Sequence, residues 1–337
     1  MPAPVEVVAV DGLEVRITNP GKVFFPQIGF TKLDLVQYYL RVMPGALVGC
    51  CRRPTTLYRW PNGVDAPDDA FYQKRVPDKG RPEWLRTVTV KFPSGRSADM
   101  LAVEDAAHLL WAINLGCLDI NPWPIRVSDV DHPDELRVDL DPTPGIPFSD
   151  VRVVAAVARE VIEEHGLAGF PKTSGKRGIH IFIRIHPAWG FKEVRRAALA
   201  LAREVERRAP TIATTAWWKE ERRGVFVDYN QNARDRTIAS AYSVRPVPDA
   251  RVSAPLTWDE VAEVEPEDLT VVTVPDRFSQ IGDPGAEIDA VAGRLESLLD
   301  LSARQESAGL GEAPLPPHFP KEEGEPARVM PSRRRQR

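Results

Sequence analysis

The stretch ELRVDLDPTPG, residues 135–145, alternates apolar and polar side chains for seven residues and then breaks on two prolines and a glycine. In an extended chain successive side chains point to opposite faces, so Leu136, Val138 and Leu140 share one side and Arg137, Asp139 and Asp141 the other. The apolar side suits a strand whose one face packs on helices. On the acidic side Asp139 and Asp141 stand roughly 7 Å apart at their Cα atoms, close enough for their oxygens to converge on a metal ion. Left uncompensated the two carboxylates would repel. Divalent cations about 4 Å apart remove that repulsion and can hold the attacking and leaving oxygens of a phosphoryl transfer. Taken alone, the pair equally fits solvated carboxylates or caps at a strand end.

Working outward, VFVDYNQN (225–232) repeats the arrangement. Val225, Val227 and Tyr229 fall on one face, leaving Asp228 on the other with Phe226. Three aspartates from two strands suffice for a two-metal nucleotidyl-transfer site. By itself Asp228 also fits a turn residue before the Asn-Gln-Asn loop. Between these strands TSGKRGIHIFIRI (173–185) runs a glycine-bearing basic turn into an alternating strand, with the isoleucines inward and His180 and Arg184 opposite. It is not a Walker A loop, because the spacing differs and no helix N-terminus follows to cradle phosphate. Ser174, Lys176, Arg177 and His180 nevertheless gather phosphate donors beside the acidic strand, although a lone basic turn is also ordinary surface.

The rest of the chain supplies the frame. LEVRIT (13–18), TTLYRW (55–60) and TVTVKF (87–92) read as strands, and residues 31–47 as a helix capped by Thr31. A helix from about Glu104 to Leu115 stops at Gly116, a third runs from a Ser149 cap to Gly166, a fourth covers 191–209 and a last one 286–305. Strands and helices mix without a regular βαβ period, which predicts an α+β fold around a central, mainly antiparallel sheet. From residue 305 to 337 the hydrophobic period gives way to Pro, Gly and charge, so this tail is expected to be disordered; its terminal arginines suit either solubility or contact with nucleic acid or a partner.

Composition narrows the class further. With 337 residues and 43% hydrophobic content the chain can bury a sizeable core. No apolar run approaches the ~18 residues of a membrane span and the N-terminus lacks a signal pattern, so no membrane is involved and a cytoplasmic location is expected. Cys50, Cys51 and Cys117 fit neither a disulfide framework nor a zinc site. The net charge of −4 argues against uniform coating of nucleic acid, yet residues 1–100 carry 14 Lys and Arg against 10 Asp and Glu, +4, leaving −8 for the remainder. A local basic surface remains open.

Together, VDLDP, TSGKRGIH and VFVDYNQN, in this order and spacing, resemble the archaeo-eukaryotic primase superfamily, and within it the polymerase domain of bacterial DNA ligase D and its stand-alone relatives in non-homologous end joining. The likeness runs from ITNPGKVFFP (17–26) to about residue 295. It implies a primase-type catalytic core with a smaller N-terminal α/β lobe: one polymerase domain over 1–304, with a DNA-end-binding lobe at about 1–100 and the catalytic core and C-terminal helices at about 101–304. It assigns two divalent ions to Asp139, Asp141 and Asp228, with Mn²⁺ favoured and Mg²⁺ acceptable, and the incoming nucleotide to Ser174, His180 and Arg245 of YSVRP. Asn19, Lys22 and Lys32 match residues that grip the 5'-phosphate at a gap or break, and Phe71 and Tyr72 match aromatics that meet the DNA end.

Two positions depart from the family pattern. Its Lys-Gly step reads Arg177-Gly178, with a lysine displaced to Lys176, and many relatives have a histidine where this chain has Asn121. Arginine still binds phosphate, whereas Asn121 loses the titratable ring, which touches nucleotide selection. The reading that results is a DNA-dependent nucleotidyltransferase adding nucleotides, ribonucleotides preferred, to 3' ends at gaps or double-strand breaks, acting alone or with Ku and a separate DNA ligase. The alternatives are a DNA-end-binding module with weak catalysis and a metal-dependent nuclease, which would leave the basic turn unexplained.

Overall fold

In the computed structural model, which describes residues 4–317, 319–321 and 325–328, the stretch Glu135–Pro142 is the middle strand of a five-stranded sheet. The order across the sheet is Gly169–Thr173, Ile179–Arg184, Glu135–Pro142, Val225–Asp228 and Ala213–Thr214. Every pairing is antiparallel except that of the last two-residue strand. Leu136, Val138 and Leu140 are buried beneath the helices Phe148–Glu164 and Phe191–Arg208. Those helices present Val151, Val154, Ala155, Ala158 and Ile162, and Val194, Ala197, Ala198, Leu201 and Val205, at the three- and four-residue spacing that makes an apolar stripe. Each large apolar side chain so buried contributes about 1.5–3 kcal/mol relative to exposure.

A second sheet runs in the order Phe71–Gln73, Pro54–Arg59, Ser97–Ala102, Thr87–Lys91, with Cys117–Pro122 also pairing the Pro54–Arg59 strand. The helix Lys32–Cys50 starts as expected at Thr31: its hydroxyl accepts from the Asp34 amide at 3.2 Å and the Asp34 carboxylate accepts from the Thr31 amide at 2.8 Å. One continuous apolar core, which includes Leu35, Leu110, Leu118, Leu136 and Ile181, joins the two sheets. The mixed α/β architecture and the antiparallel central sheet match the sequence expectation.

The C-terminal helix is shorter than its apolar pattern suggests, running over Glu296–Ser307. Before it the chain runs along the sheet at Gly293, whose amide donates to the Arg184 carbonyl at 2.9 Å and whose Cα packs so close to the Leu167 side chain that a Cβ would stand 2.3 Å from it. Beyond this helix, Arg203 and Arg195 donate to the carbonyls of Leu310 and Pro314. The arginines at 333–335 lie outside the described residues. Among the described residues no helix is long and apolar enough to cross a membrane.

Candidate active site

The ladder itself assembles the site. Asp139 is the Cα partner of Asp228 on one side and of His180 on the other, and His180 is in turn the partner of Lys172. Residues directly opposite in adjacent antiparallel strands put their side chains on the same face, so Lys172, His180, Asp139 and Asp228 form one row across four strands. The His180 Nε2 atom is 3.4 Å from Asp139 Oδ1, and Lys172 Nζ is 2.8 Å from His180 Nδ1. The Gln231 amide donates to both carboxylates, at 3.3 Å to Asp139 and 3.1 Å to Asp228. Asp141 lies two residues on at the exposed rim, opposite Phe226.

The electrostatics follow from this crowding. Burial, then Asp228 and Asp141, push the Asp139 carboxyl well above its usual range, and burial likewise raises Asp228. Two half-buried carboxylates side by side that each resist ionisation form a donor set suited to a hard cation, and the Gln231 amide donates to both. Among the described residues no three His, Cys, Asp or Glu side chains converge into a metal-binding group, so the fit rests on the Asp139 and Asp228 pair with Asp141 at the rim.

On the other flank, the turn at 174–178 is held by the Ser174 hydroxyl, which accepts from the amides of Lys176 at 3.1 Å and Gly178 at 3.0 Å. Gly178 must be glycine, because a Cβ would lie 2.3 Å from the Leu140 carbonyl of the acidic strand. Lys176 and Arg177 are exposed, and Arg177 donates to the carbonyls of Pro142 and Thr143. Arg245 pairs with Asp119 at 2.9 Å. Asn121 is buried, its amide spent on the Asp119 carbonyl at 2.9 Å. The acidic strands, the basic turn and Arg245 are thus grouped.

The N-terminal residues gather separately. Lys32 is only 6% exposed and donates to the carbonyls of Thr18 at 2.7 Å and Asn114 at 2.9 Å. Burial, then Lys22 and Arg59, lower its ammonium to about 8. Lys22 donates to Asn62 at 2.8 Å, and Asn19 takes a left-handed backbone with φ 51° at the turn that precedes it. Phe71 and Tyr72 are exposed, Phe71 under the Arg59 guanidinium and Tyr72 stacked on Tyr58 at 4.1 Å. Sequence reasoning missed Lys172, Asp119, Gln231 and Arg59. Lys172 and Asp119 carry no local mark of burial, while Gln231 was passed over as part of a loop.

An α+β fold whose antiparallel sheet sets paired aspartates beside a glycine-bearing basic turn is a primase-type core. The model of the LigD primase-polymerase domain matches residues 31–285, and the chain belongs to that family. It is 30% identical over 310 residues to the multifunctional non-homologous end joining protein LigD of Mycolicibacterium smegmatis, covering 91% of this chain and 40% of that protein. With the LigD protein of Mycobacterium tuberculosis it shares 32% identity over 287 residues, 82% of this chain and 37% of the relative. The chain therefore spans about two fifths of these relatives. The solved polymerase domain of M. tuberculosis ligase D in complex with DNA superposes with a TM-score of 0.76 at 31% identity, over 82% of this chain and 98% of that one.

Proposed function

We propose that the chain is a DNA-dependent nucleotidyltransferase that adds nucleotides to 3' ends at gaps and double-strand breaks in end-joining repair. The observation that carries this reading is the cross-strand pairing of Asp139 with Asp228 beside His180, on a fold shared with a polymerase domain bound to DNA. Asp139 and Asp141 would hold two divalent ions with Asp228 completing the set. When bound, such ions neutralise the transferring phosphoryl group and lower the pKa of the attacking hydroxyl. His180, Arg245, Lys176 and Arg177 would take the triphosphate, with Arg245 exchanging its Asp119 partner for phosphate. DNA and nucleoside triphosphates are the substrates in this account, with Ku and a separate ligase as partners.

Ser174 supports a preference for ribonucleotides. Its oxygen already accepts two amides, which leaves its own proton to donate to a sugar hydroxyl. A site built to satisfy a 2'-hydroxyl discriminates against its absence. Mn²⁺ shares oxygen ligands with Mg²⁺ and suits a carboxylate set with one member at an open rim. The test is single-nucleotide filling of a 5'-phosphorylated gap with UTP or dTTP, in Mn²⁺ or Mg²⁺, with and without a template base. UTP with Mn²⁺ on a templated gap is expected to be used best; equal use of dTTP refutes the sugar preference. Retained DNA binding without extension in either metal would favour the end-binding module, the reading to which the engaged side chains of Asn121 and Arg177 point.

For the 5'-phosphate, Lys22, Lys32 and Asn19 are assigned as the grip, with Arg59 beside them. Lys32→Met should weaken binding to a phosphorylated gap by about 1.5–3 kcal/mol and leave an unphosphorylated gap unaffected. Because burial, Lys22 and Arg59 hold Lys32 at about 8, binding a phosphate above that pH requires proton uptake. The advantage of the phosphorylated gap is therefore expected to shrink as pH rises from 7 to 9. Fluorescence anisotropy at one fixed salt concentration measures both effects, and a phosphate advantage that does not change with Lys32→Met removes Lys32 from the pocket.

A further inference from the structure

We propose that Arg195 is a positioning residue that ties the chain segment 310–316 to the turn bearing Asp228 and Gln231, which makes that segment a strap on the metal site; the inference rests on the ion-binding reading above. Arg195 is 5% exposed on the helix Phe191–Arg208, where an arginine would ordinarily carry its charge out to water. Its guanidinium instead lies 5.2 Å over the Tyr229 ring and donates to neutral oxygens on two sides. On one side is Asn230 Oδ1, at 2.9 Å from Nη2 and 3.2 Å from Nε. On the other are the carbonyls of Pro314 at 2.6 Å and Ala313 at 3.3 Å. A buried cation deprived of such acceptors is costly, so the strap and the turn each help to hold it.

The turn Tyr229–Asn232 is where the two carboxylates are organised. The Asn230 backbone amide donates to Asp228 Oδ1 at 2.8 Å, and the Gln231 side chain reaches both Asp139 and Asp228. One end of the turn is fixed to the sheet, since the Asn232 side chain accepts from the Arg137 amide at 2.8 Å and donates to the Arg137 carbonyl at 2.7 Å. The other end is held by Arg195, and through it by the strap. The strap has its own seat as well: Arg203, further along the same helix, donates to the Leu310 carbonyl at 3.3 Å, and Pro314 and Pro316 are buried. Pro316 and Pro317 stand with Asp228, Asn230 and Gln231 around an open cavity of about 570 Å³. Strap and carboxylates thus border one space, and Arg195 is the link between them. It touches neither metal nor nucleotide in this account and acts through Asn230.

Titration of Mn²⁺ into the full-length protein without DNA or nucleotide, followed by electron paramagnetic resonance, reads the site, and amide hydrogen exchange reads the strap and the turn. Arg195→Met should raise the Kd of the first Mn²⁺ about 10-fold. It should also speed exchange over 310–315 and 229–232 together, with the strand Ile179–Arg184 unchanged as the measure of an intact fold. Asn230→Ala should raise the Kd alike, and adding Arg195→Met to it should change little further. Pro314→Gly with Pro316→Gly keeps Arg195 and Asn230 but removes two buried rings, so it should loosen the strap and raise the Kd even if Arg195→Met does not fold. A Kd that stays at the wild-type value in Arg195→Met, or that rises as far again when Arg195→Met is added to Asn230→Ala, overturns the proposal, as does a loosened strap with an unchanged Kd in the proline variant. A wild type that binds no Mn²⁺ defeats the ion-binding reading instead, and joint loosening of strap and turn in Arg195→Met then decides by itself whether Arg195 links them.

Discussion

Replacing Asp139 or Asp228 by alanine is expected to lower nucleotide addition by at least about 10³-fold while leaving binding to gapped DNA largely intact. The two carboxylates are neighbours on adjacent strands and are the proposed ligands of the ions that would neutralise the transferring group. Losing several kcal/mol of that stabilisation corresponds to three or more decades in rate. The same crowding makes a second, opposite expectation. The folded state favours protonated Asp139, so in metal-free protein its ionisation destabilises the fold as pH rises above the unfolded carboxyl value of 3.8. Asp139→Asn removes that penalty and should raise the thermal midpoint at neutral pH without divalent metal, even as activity is lost. Extension by either alanine variant near the wild-type rate removes the metal assignment.

Glu135→Gln should be the most damaging substitution for stability, at about 3–5 kcal/mol. Glu135 is 2% exposed, accepts from Arg137 at 2.6 Å and Arg184 at 3.0 Å, and lies 3.5 Å from Arg53. Against burial, which raises a carboxyl, Arg137, Arg53 and Arg184 hold it far below the usual range. Neutralising it strands the fully enclosed Arg137 guanidinium, whose carboxylate partner is Glu135, while Arg53 keeps Asp134 at 2.7 Å. The sign with pH follows: the contribution is complete above the unfolded value of 4.5 and is lost as pH falls below it. Urea unfolding of wild type and Glu135→Gln at pH 7 measures the difference, and a loss below about 1 kcal/mol contradicts the assignment.

This network also marks where the sequence ceased to be readable. In ELRVDLD the alternation that exposes Asp139 and Asp141 on one face would place Glu135 and Arg137 toward solvent as well, and local pattern cannot say that an adjoining layer covers that end of the strand. Arg184 was assigned to the correct face of its strand for the same reason and is nonetheless buried against Glu135. The carboxylate row was legible because strand period and antiparallel pairing are local rules, and Asp228 met Asp139 once the two strands proved adjacent. The Thr31 cap was legible because its partner lies three residues on. Lys172 was not, since its burial depends on Ser253 and His180, 81 and 8 residues away. The late start of the last helix, at Glu296, was hidden likewise, in the packing of Gly293 against Leu167.

Asp139, Asp141 and Asp228 are the proposed ion-binding centre of a nucleotidyltransferase. Titration of Mn²⁺ into the protein with gapped DNA and a non-hydrolysable UTP analogue, followed by electron paramagnetic resonance, counts the ions directly. Two protein-dependent ions in wild type, falling to one or none in both Asp139→Ala and Asp228→Ala, is the predicted result. An ion count unchanged by either substitution would contradict it.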